Sequence, residues 1–152
     1  MDWHLVNIDK EYGSGWTGYT WNKDFFPDPV HMLDWLHDKN LKVSLNLHPA
    51  DGIRPHEECY EEVADFMGVN KNKEEPVEFD IANPKFVSAY FDLVHHPLEE
   101  QGVDFWWIDW QQGKKTSMEG LDPLWMLNHL HFYDQGRTED QRSFIFSRWG
   151  GF

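Results

Sequence analysis

The sequence predicts an α/β fold in which parallel strands alternate with helices. Apolar runs of strand length are separated by segments with helical periodicity. Three of the predicted helices begin with Asp-Pro or Asn-Pro, a good N-cap followed by proline at the first helical position. This alternation indicates parallel strands joined by right-handed crossovers. It fits an open doubly wound sheet or part of a (β/α) barrel, and no glycine-rich phosphate-binding motif follows any strand.

The first predicted helix follows an aromatic segment. Residues 15–22 are aromatic and spaced by glycines, which is compatible with a short extended arm. Asp28 is then a good N-cap, and the apolar periodicity continues from the following proline to Asn40. Residues 42–47 form the next predicted strand, and a polar segment beginning with His48 follows it.

A longer connection, at about residues 49–82, leads towards the middle of the chain. Within it, residues 56–67 are predicted to be helical, and a glycine follows them as a stop signal. His56, Glu57 and Glu58 are interpreted as the acidic first turn of this helix, where negative charge favours the helix dipole.

The central strand is the most apolar segment of the chain. A helix capped by Asn83 is predicted to run to about Glu100, with Pro97 as a candidate kink near its end. Residues 103–108 then have the composition of a parallel strand buried on both faces, and this strand ends on a carboxylate, Asp109. The carboxyl end of such a strand is where α/β enzymes place their catalytic groups.

The last part of the chain repeats the helix–strand pattern. Asp122 is predicted to cap a helix over residues 124–133, and residues 143–146 form a last strand that leads to Arg148. A whole eight-stranded barrel needs about 250 residues. We therefore expect residues 1–152 to be a fragment of one barrel domain, with about half of its strand–helix units.

Composition and charge limit the classes of ligand. Acidic residues outnumber basic ones 27 to 13, a formal net charge of −14, which argues against nucleic acid and anionic membranes as partners. Nine Trp, eleven Phe and five Tyr suggest a pocket for a neutral ligand with flat apolar faces, such as a sugar. The single Cys59 excludes an intrachain disulfide and a cysteine-based zinc cluster, and no cofactor is predicted. No apolar run or signal peptide indicates a membrane or export, which slightly favours the cytoplasm.

Polar side chains follow the predicted strands at points that would converge on one face of a parallel barrel. These points are residues 2–4, 48–51, 109–111 and 147–149. Together they would assemble two or three carboxylates, an arginine, a histidine and several indoles. Such a set is typical of glycosidases, in which carboxyl groups attack or protonate and indoles stack on the sugar ring.

The order of these motifs resembles that of glycoside hydrolase family 31, the α-glucosidase family. Residues 107–109, Trp-Ile-Asp, resemble the Trp-x-Asp nucleophile motif of the family, and residues 147–148 are similar to the arginine segment of its next strand. Residues 18–22, 26–29 and 36–37 are similar to its aromatic arm, its Phe-Pro-Asp-Pro turn and its following helix. The resemblance therefore runs along nearly the whole chain.

The resemblance implies a retaining α-glycosidase on a (β/α)8 barrel, acting on a carbohydrate with an α-linked sugar. Carried over by position, Asp109 is the nucleophile and Arg148 is a ligand of the sugar at the cleavage site. Trp107 packs beside the nucleophile, and Asp2 matches the second acid of an Asp-x-Asp strand end that binds substrate.

Two further residues at the predicted strand ends, His48 and Trp110, are candidates for substrate binding. Trp110 opens a Trp-Gln-Gln-Gly segment where the family usually has Met-Asn-Glu, so the leaving-group subsite is expected to differ. The first acid of the Asp-x-Asp pair and the acid/base, an Asp on the strand after Arg148, are expected outside this chain. The isolated chain is therefore expected to be inactive.

Two alternatives remain open at this point. A non-catalytic carbohydrate-binding protein could use the same half-site, with Asp109 as a hydrogen-bond acceptor. A second carboxylate about 5–5.5 Å from Asp109 would instead indicate retaining chemistry. A metal-dependent hydrolase using His4, His48 and Asp109 would bind zinc and would lose activity with a chelator.

Overall fold

The fold is built on a parallel sheet. The computed structural model describes residues 3–5, 18–109 and 116–148. Within these ranges three strands lie side by side in chain order, and both neighbouring pairs are parallel, as the alternating pattern predicted. The strands are β1 (Ser44–Leu47), β2 (Phe105–Ile108) and β3 (Phe146–Ser147).

Helices connect the strands. Three α-helices lie between β1 and β2, and one lies between β2 and β3. No helix in the described ranges is long and apolar enough to cross a membrane. The helices are α1 (Pro29–Asp38), α2 (Tyr60–Met67), α3 (Pro84–Ala89), α4 (His96–Glu100) and α5 (Pro123–Gln135), and short 3₁₀ turns cover Pro49–Asp51 and Lys71–Lys73.

Three helix starts confirm the predicted caps. In each, a side-chain oxygen of the capping residue accepts a hydrogen bond from a backbone N–H of the first turn, which has no partner within the helix. Proline follows each cap and contributes its fixed φ. The pairs are Asp28 with the N–H of His31, Asn83 with that of Lys85, and Asp122 with that of Leu124.

The predicted start of α2 is wrong. The helix begins at Tyr60 rather than at residue 56, and turns precede it. The helix starts later because Glu57 is buried and accepts hydrogen bonds from Tyr19 and Thr20. It does not face solvent on a first helical turn. The predicted end is confirmed, because Gly68 caps the helix with a φ of 81°.

The predicted long helix ending near Glu100 contains a wider turn instead of a simple kink. Residues Tyr90–His95 are π-helical and lie between α3 and α4. Pro97 has no N–H to donate to the carbonyl of Leu93, and its ring crowds that carbonyl. A π turn accommodates such an interruption without breaking the helix.

The two faces of the sheet differ in cover. Side chains alternate along a strand, so Trp106 and Ile108 point to one face of β2 while Trp107 points to the other. Trp106 and Ile108 are buried, and the ring of His95 in the π turn packs on Trp106 with centroids 4.4 Å apart. Trp107 is only half-buried. The helix layer therefore covers one face, and the face that carries Trp107 is more open.

The last strand is shorter than predicted. Residues 143–146 were expected to be extended, but β3 comprises only Phe146 and Ser147, paired with the last two residues of β2. Phe144 and Ile145 before it remain exposed. Phe144 and Ile145 therefore have the apolar character of a strand but do not belong to the paired segment.

Candidate active site

Three of the predicted site residues occupy the same position after three adjacent strands. His48, Asp109 and Arg148 each follow the last residue of their strand, and these last residues lie opposite one another in the parallel register. The backbone continues this row: the N–H of Asp109 donates to the carbonyl of Leu47 at 3.1 Å, and that of Arg148 to the carbonyl of Ile108 at 2.9 Å. Parallel pairing therefore brings the three side chains to one end of the sheet.

The carboxylate of Asp109 is held through both of its oxygens. Nη1 of Arg148 donates to Oδ1 at 3.0 Å, and Nε2 of His48 lies 3.2 Å from Oδ2. Asp109 is 7% exposed and His48 4% exposed, whereas the Arg148 side chain is half exposed. A carboxylate withdrawn from water needs such charge-assisted partners. The contacts also fix the direction in which it points.

An aromatic row lies beside these polar side chains. Trp107 precedes Asp109 by two residues, so both point to the more open face of β2. Its indole stacks on Phe146 of β3, with centroids 6.0 Å apart and an angle of 29° between the planes. A flat apolar surface therefore adjoins the carboxylate.

A fourth segment reaches the site from the beginning of the described chain. His4 is buried and forms an antiparallel bridge with Trp21. Its ring centroid lies 6.3 Å from that of His48. The neighbouring Trp3 donates from Nε1 to the backbone carbonyl of Asn46 in β1, at 3.0 Å. The segment is thus attached both to β1 and to the histidine that contacts the carboxylate.

Two buried histidines in the layer behind β2 are neutral. Burial lowers the pKa of His95 well below its ordinary value and lowers the pKa of His131 to about 3. The hydroxyl of Tyr90 lies 3.0 Å from Nε2 of His131, and burial raises the pKa of this tyrosine well above its usual range. Neutral rings therefore pack against the strand from the covered side, where the Trp106 indole also donates to the Glu99 carboxylate at 2.8 Å.

Two of the predicted substrate-binding residues, Asp2 and Trp110, lie outside the described residues. Asp51, the other acid at a predicted strand end, lies in a 3₁₀ turn, where Arg54 approaches it at 3.5 Å.

The zinc hypothesis named His4, His48 and Asp109. Among the residues that the structure describes, these three do not form a group whose ligand atoms all lie within 4.8 Å of one another. The one described group that does so consists of His96, Glu99 and Asp134.

Sequence reasoning missed two buried polar residues, Asn46 and Glu57. Asn46 is 5% exposed within β1 and lies opposite Trp107 in the register. An amide between two leucines of the strand was the signal that could have identified it. Glu57 is also 5% exposed, but as one acid in an acidic segment it carried no such signal.

Comparison with known families agrees with this geometry. The whole chain, residues 1–152, matches the model of the glycosyl hydrolases family 31 TIM-barrel domain. The chain belongs to glycosyl hydrolase family 31. This confirms the predicted family and, for the fold, a TIM-barrel domain with helices around parallel strands.

The family-31 chain is similar to part of several α-glucosidases. Human neutral alpha-glucosidase C is 27% identical over 137 residues, which are 82% of this chain and 15% of the human protein. The same protein from Macaca fascicularis is 30% identical over 115 residues, 67% of this chain and 15% of its own length. Glucosidase 2 subunit alpha of Schizosaccharomyces pombe is 26% identical over 136 residues, which are 78% of this chain and 15% of that protein. The chain thus spans about 15% of the length of these relatives.

Proposed function

We propose that this chain is part of the catalytic barrel of a retaining α-glycosidase, with Asp109 as the nucleophile. The observation that carries the proposal is the buried Asp109 carboxylate at the carboxyl end of β2, held by Arg148 on one oxygen and His48 on the other. TIM-barrel enzymes carry their catalytic groups at this end of the strands. The α-glucosidases among the relatives support an α-linked sugar as substrate.

The proposed reaction has two steps. An oxygen of Asp109 attacks the anomeric carbon while the bond to the leaving oxygen breaks, and a second carboxyl group gives that oxygen a proton. Water then attacks the same carbon and loses a proton to the second group, and the bond to Asp109 breaks, so the configuration is retained. We propose that another barrel strand outside this chain supplies this group, about 5–5.5 Å from Asp109.

The other site residues would support this chemistry. Arg148 and His48 would hold the Asp109 carboxylate in the attacking orientation, and Arg148 would also bind sugar hydroxyls. The indoles of Trp107 and Trp110 would provide apolar surfaces for the sugar ring, and Asp2 would accept hydrogen bonds from its hydroxyls.

We further propose that residues 1–152 contribute about half of the strand–helix units of one barrel domain, with the segment at about residues 49–82 as a long connection. Three parallel strands lie in the described ranges, and a complete barrel has eight. The two exposed aromatic residues next to Arg148, Phe144 and Phe146, would pack against further barrel strands.

A fluorinated glycosyl inhibitor tests the nucleophile directly. In the full-length protein that contains this chain, the trapped glycosyl-enzyme should carry the label on the peptide with residues 107–111, and Asp109→Asn should abolish labelling. Label on another carboxylate would contradict the assignment. Sugar binding with neither labelling nor turnover would favour a non-catalytic carbohydrate-binding protein.

A further inference from the structure

We propose that Glu57, which lies outside the row of site residues, is a positioning residue for the site. It would act through the aromatic arm, defined here as residues 18–22. The part of this inference that concerns turnover rests on the proposed function of Asp109. The part that concerns the position of His4 rests on the contacts described below.

The carboxylate of Glu57 is buried against the arm. Its Oε2 accepts hydrogen bonds from the N–H of Tyr19 at 3.0 Å and from the hydroxyl of Thr20 at 2.6 Å. Nε2 of His56 lies 3.2 Å from Oε1. A carboxylate is costly to bury unless such donors are present. Because both of these hydrogen-bond donors to Oε2 belong to the arm, the arm and the carboxylate hold each other in place.

The arm is shaped to fit this carboxylate. Gly18 has a φ of +106°, and a Cβ atom added there would lie 2.0 Å from Oε1 of Glu57. Only glycine permits both this backbone conformation and this close approach. The hydroxyl of Thr20 also accepts from the N–H of Glu58 at 2.9 Å, so it donates to one glutamate and accepts from the backbone of the next.

The arm in turn fixes the segment that carries His4. The N–H of Leu5 donates to the carbonyl of Thr20 at 2.9 Å, and the N–H of Asn22 donates to the carbonyl of Trp3 at 2.8 Å. These two bonds lie on either side of the bridge between His4 and the arm. Displacement of Thr20 would therefore break the pairing that places the His4 backbone.

The last contacts connect this segment to the nucleophile. The His4 ring packs on that of His48, and His48 contacts Asp109 through Nε2. Trp3 also packs edge-on against Trp21 of the arm, with centroids 4.9 Å apart. The described contacts thus run without a gap from Glu57 through the arm and His4 to the nucleophile.

Four variants of the full-length protein test the inference. Glu57→Ala removes the acceptor, and Glu57→Gln keeps one side-chain oxygen in its place. Gly18→Ala keeps the carboxylate but obstructs its approach to the arm, so it tests the same contact from the other side. Glu58→Gln is the matched control, because the Glu58 side chain is exposed and the described contact of this residue with the arm is through its backbone N–H.

The variants are compared by amide hydrogen exchange and by steady-state kinetics, both well below each Tm. In Glu57→Ala and Gly18→Ala, we expect the amides of residues 3–5 and 19–22 to exchange at least about tenfold faster. We expect kcat to fall about tenfold while KM changes less than about threefold, because the groups displaced adjoin the nucleophile. Glu57→Gln should lie between these variants and wild type, and Glu58→Gln should match wild type.

Three results decide whether Glu57 positions the site. Unchanged exchange in residues 3–5 would overturn the inference, because the arm would then be held by other contacts. Faster exchange with an unchanged kcat per folded molecule would also overturn it, since Glu57 would then be structural only. If wild type cleaves no α-glycoside, the proposed function fails by itself, and the exchange of residues 3–5 alone decides whether Glu57 positions His4.

Discussion

Strand β2 has an aspartate at each end, and both are held by a histidine and a cation. At the carboxyl end, Asp109 contacts the imidazole of His48 and the guanidinium of Arg148. At the amino end, Asp104 accepts from Lys42 Nζ at 2.7 Å and from the N–H of Val43 at 2.8 Å, and Nε2 of His37 lies 2.8 Å away. The inventories are almost the same, so residue types alone do not distinguish the two sites.

The two aspartates differ in the structural elements that carry their partners. The partners of Asp104 come from α1 and from the segment before β1, and one of them is a backbone N–H. Burial raises the pKa of Asp104, but the hydrogen bonds from Lys42, Val43 and His37 outweigh it and hold this pKa below its ordinary value. The described partners of Asp109, His48 and Arg148, each follow a strand at the same end of the sheet. In TIM barrels the amino end generally serves stability and the carboxyl end catalysis.

The largest effect that this comparison predicts is on turnover. In the full-length protein, Asp109→Asn should lower kcat by several orders of magnitude with folding intact, because the amide has the same shape but is not a nucleophile. Asp104→Asn should leave kcat nearly unchanged and lower the free energy of unfolding by about 1 kcal/mol. Initial rates and urea unfolding measure the two quantities. A near-normal rate in Asp109→Asn, or a large loss of turnover in Asp104→Asn, would contradict the assignment of catalysis to the carboxyl end of β2 and of stability to its amino end.

A smaller effect is expected from the cation at the carboxyl end. Arg148→Lys keeps the charge but loses the forked geometry of the guanidinium beside Asp109, so kcat/KM should fall about 100-fold. The matched control is Arg142→Lys, which changes an exposed arginine that precedes β3 instead of following it. If both lysine variants show the same kinetics as wild type, Arg148 serves the fold and not the reaction.

The features that the sequence predicted are those determined by nearby residues. The helix caps at Asp28, Asn83 and Asp122 depend on hydrogen bonds that span two or three residues, so a local pattern suffices. The strand end at Asp109 was recognisable because an abrupt change from apolar to charged residues marks it. Its predicted role as the nucleophile came from the resemblance to the family motif, because hydrophobic periodicity predicts secondary structure and not chemistry.

The features that the sequence did not predict depend on distant partners. Glu57 is adjacent to two other polar residues in the chain, and its partners Tyr19 and Thr20 lie almost forty positions earlier. The partners of Asp104 lie more than sixty positions earlier. Nothing local distinguishes a buried acid from a solvated one in such segments. The π turn was missed for a related reason, since Pro97 signals an interruption of the helix but not how the backbone accommodates it.

The helix layer behind β2 provides the third and smallest test, because its acid response differs from that of Asp104. His131 and His95 are buried among rings, and burial lowers the pKa of both. In the unfolded chain a histidine binds a proton below about pH 6.5, whereas folded His131 does so only at about pH 3. The unfolded state therefore binds more protons between these values, and stability must fall as the pH falls.

Urea unfolding between pH 7 and pH 5 should show this loss. Below about pH 6.5 the free energy of unfolding should fall by up to about 1.4 kcal/mol per pH unit for each of His95 and His131. The contribution of Asp104 is constant in this window, because its pKa is lowered and is lost only below about pH 3.9. His131→Gln should remove one histidine's share of the slope, and His129→Gln, an exposed change on the same helix, should remove none. An identical slope in wild type and His131→Gln would mean that His131 is not a source of the acid sensitivity.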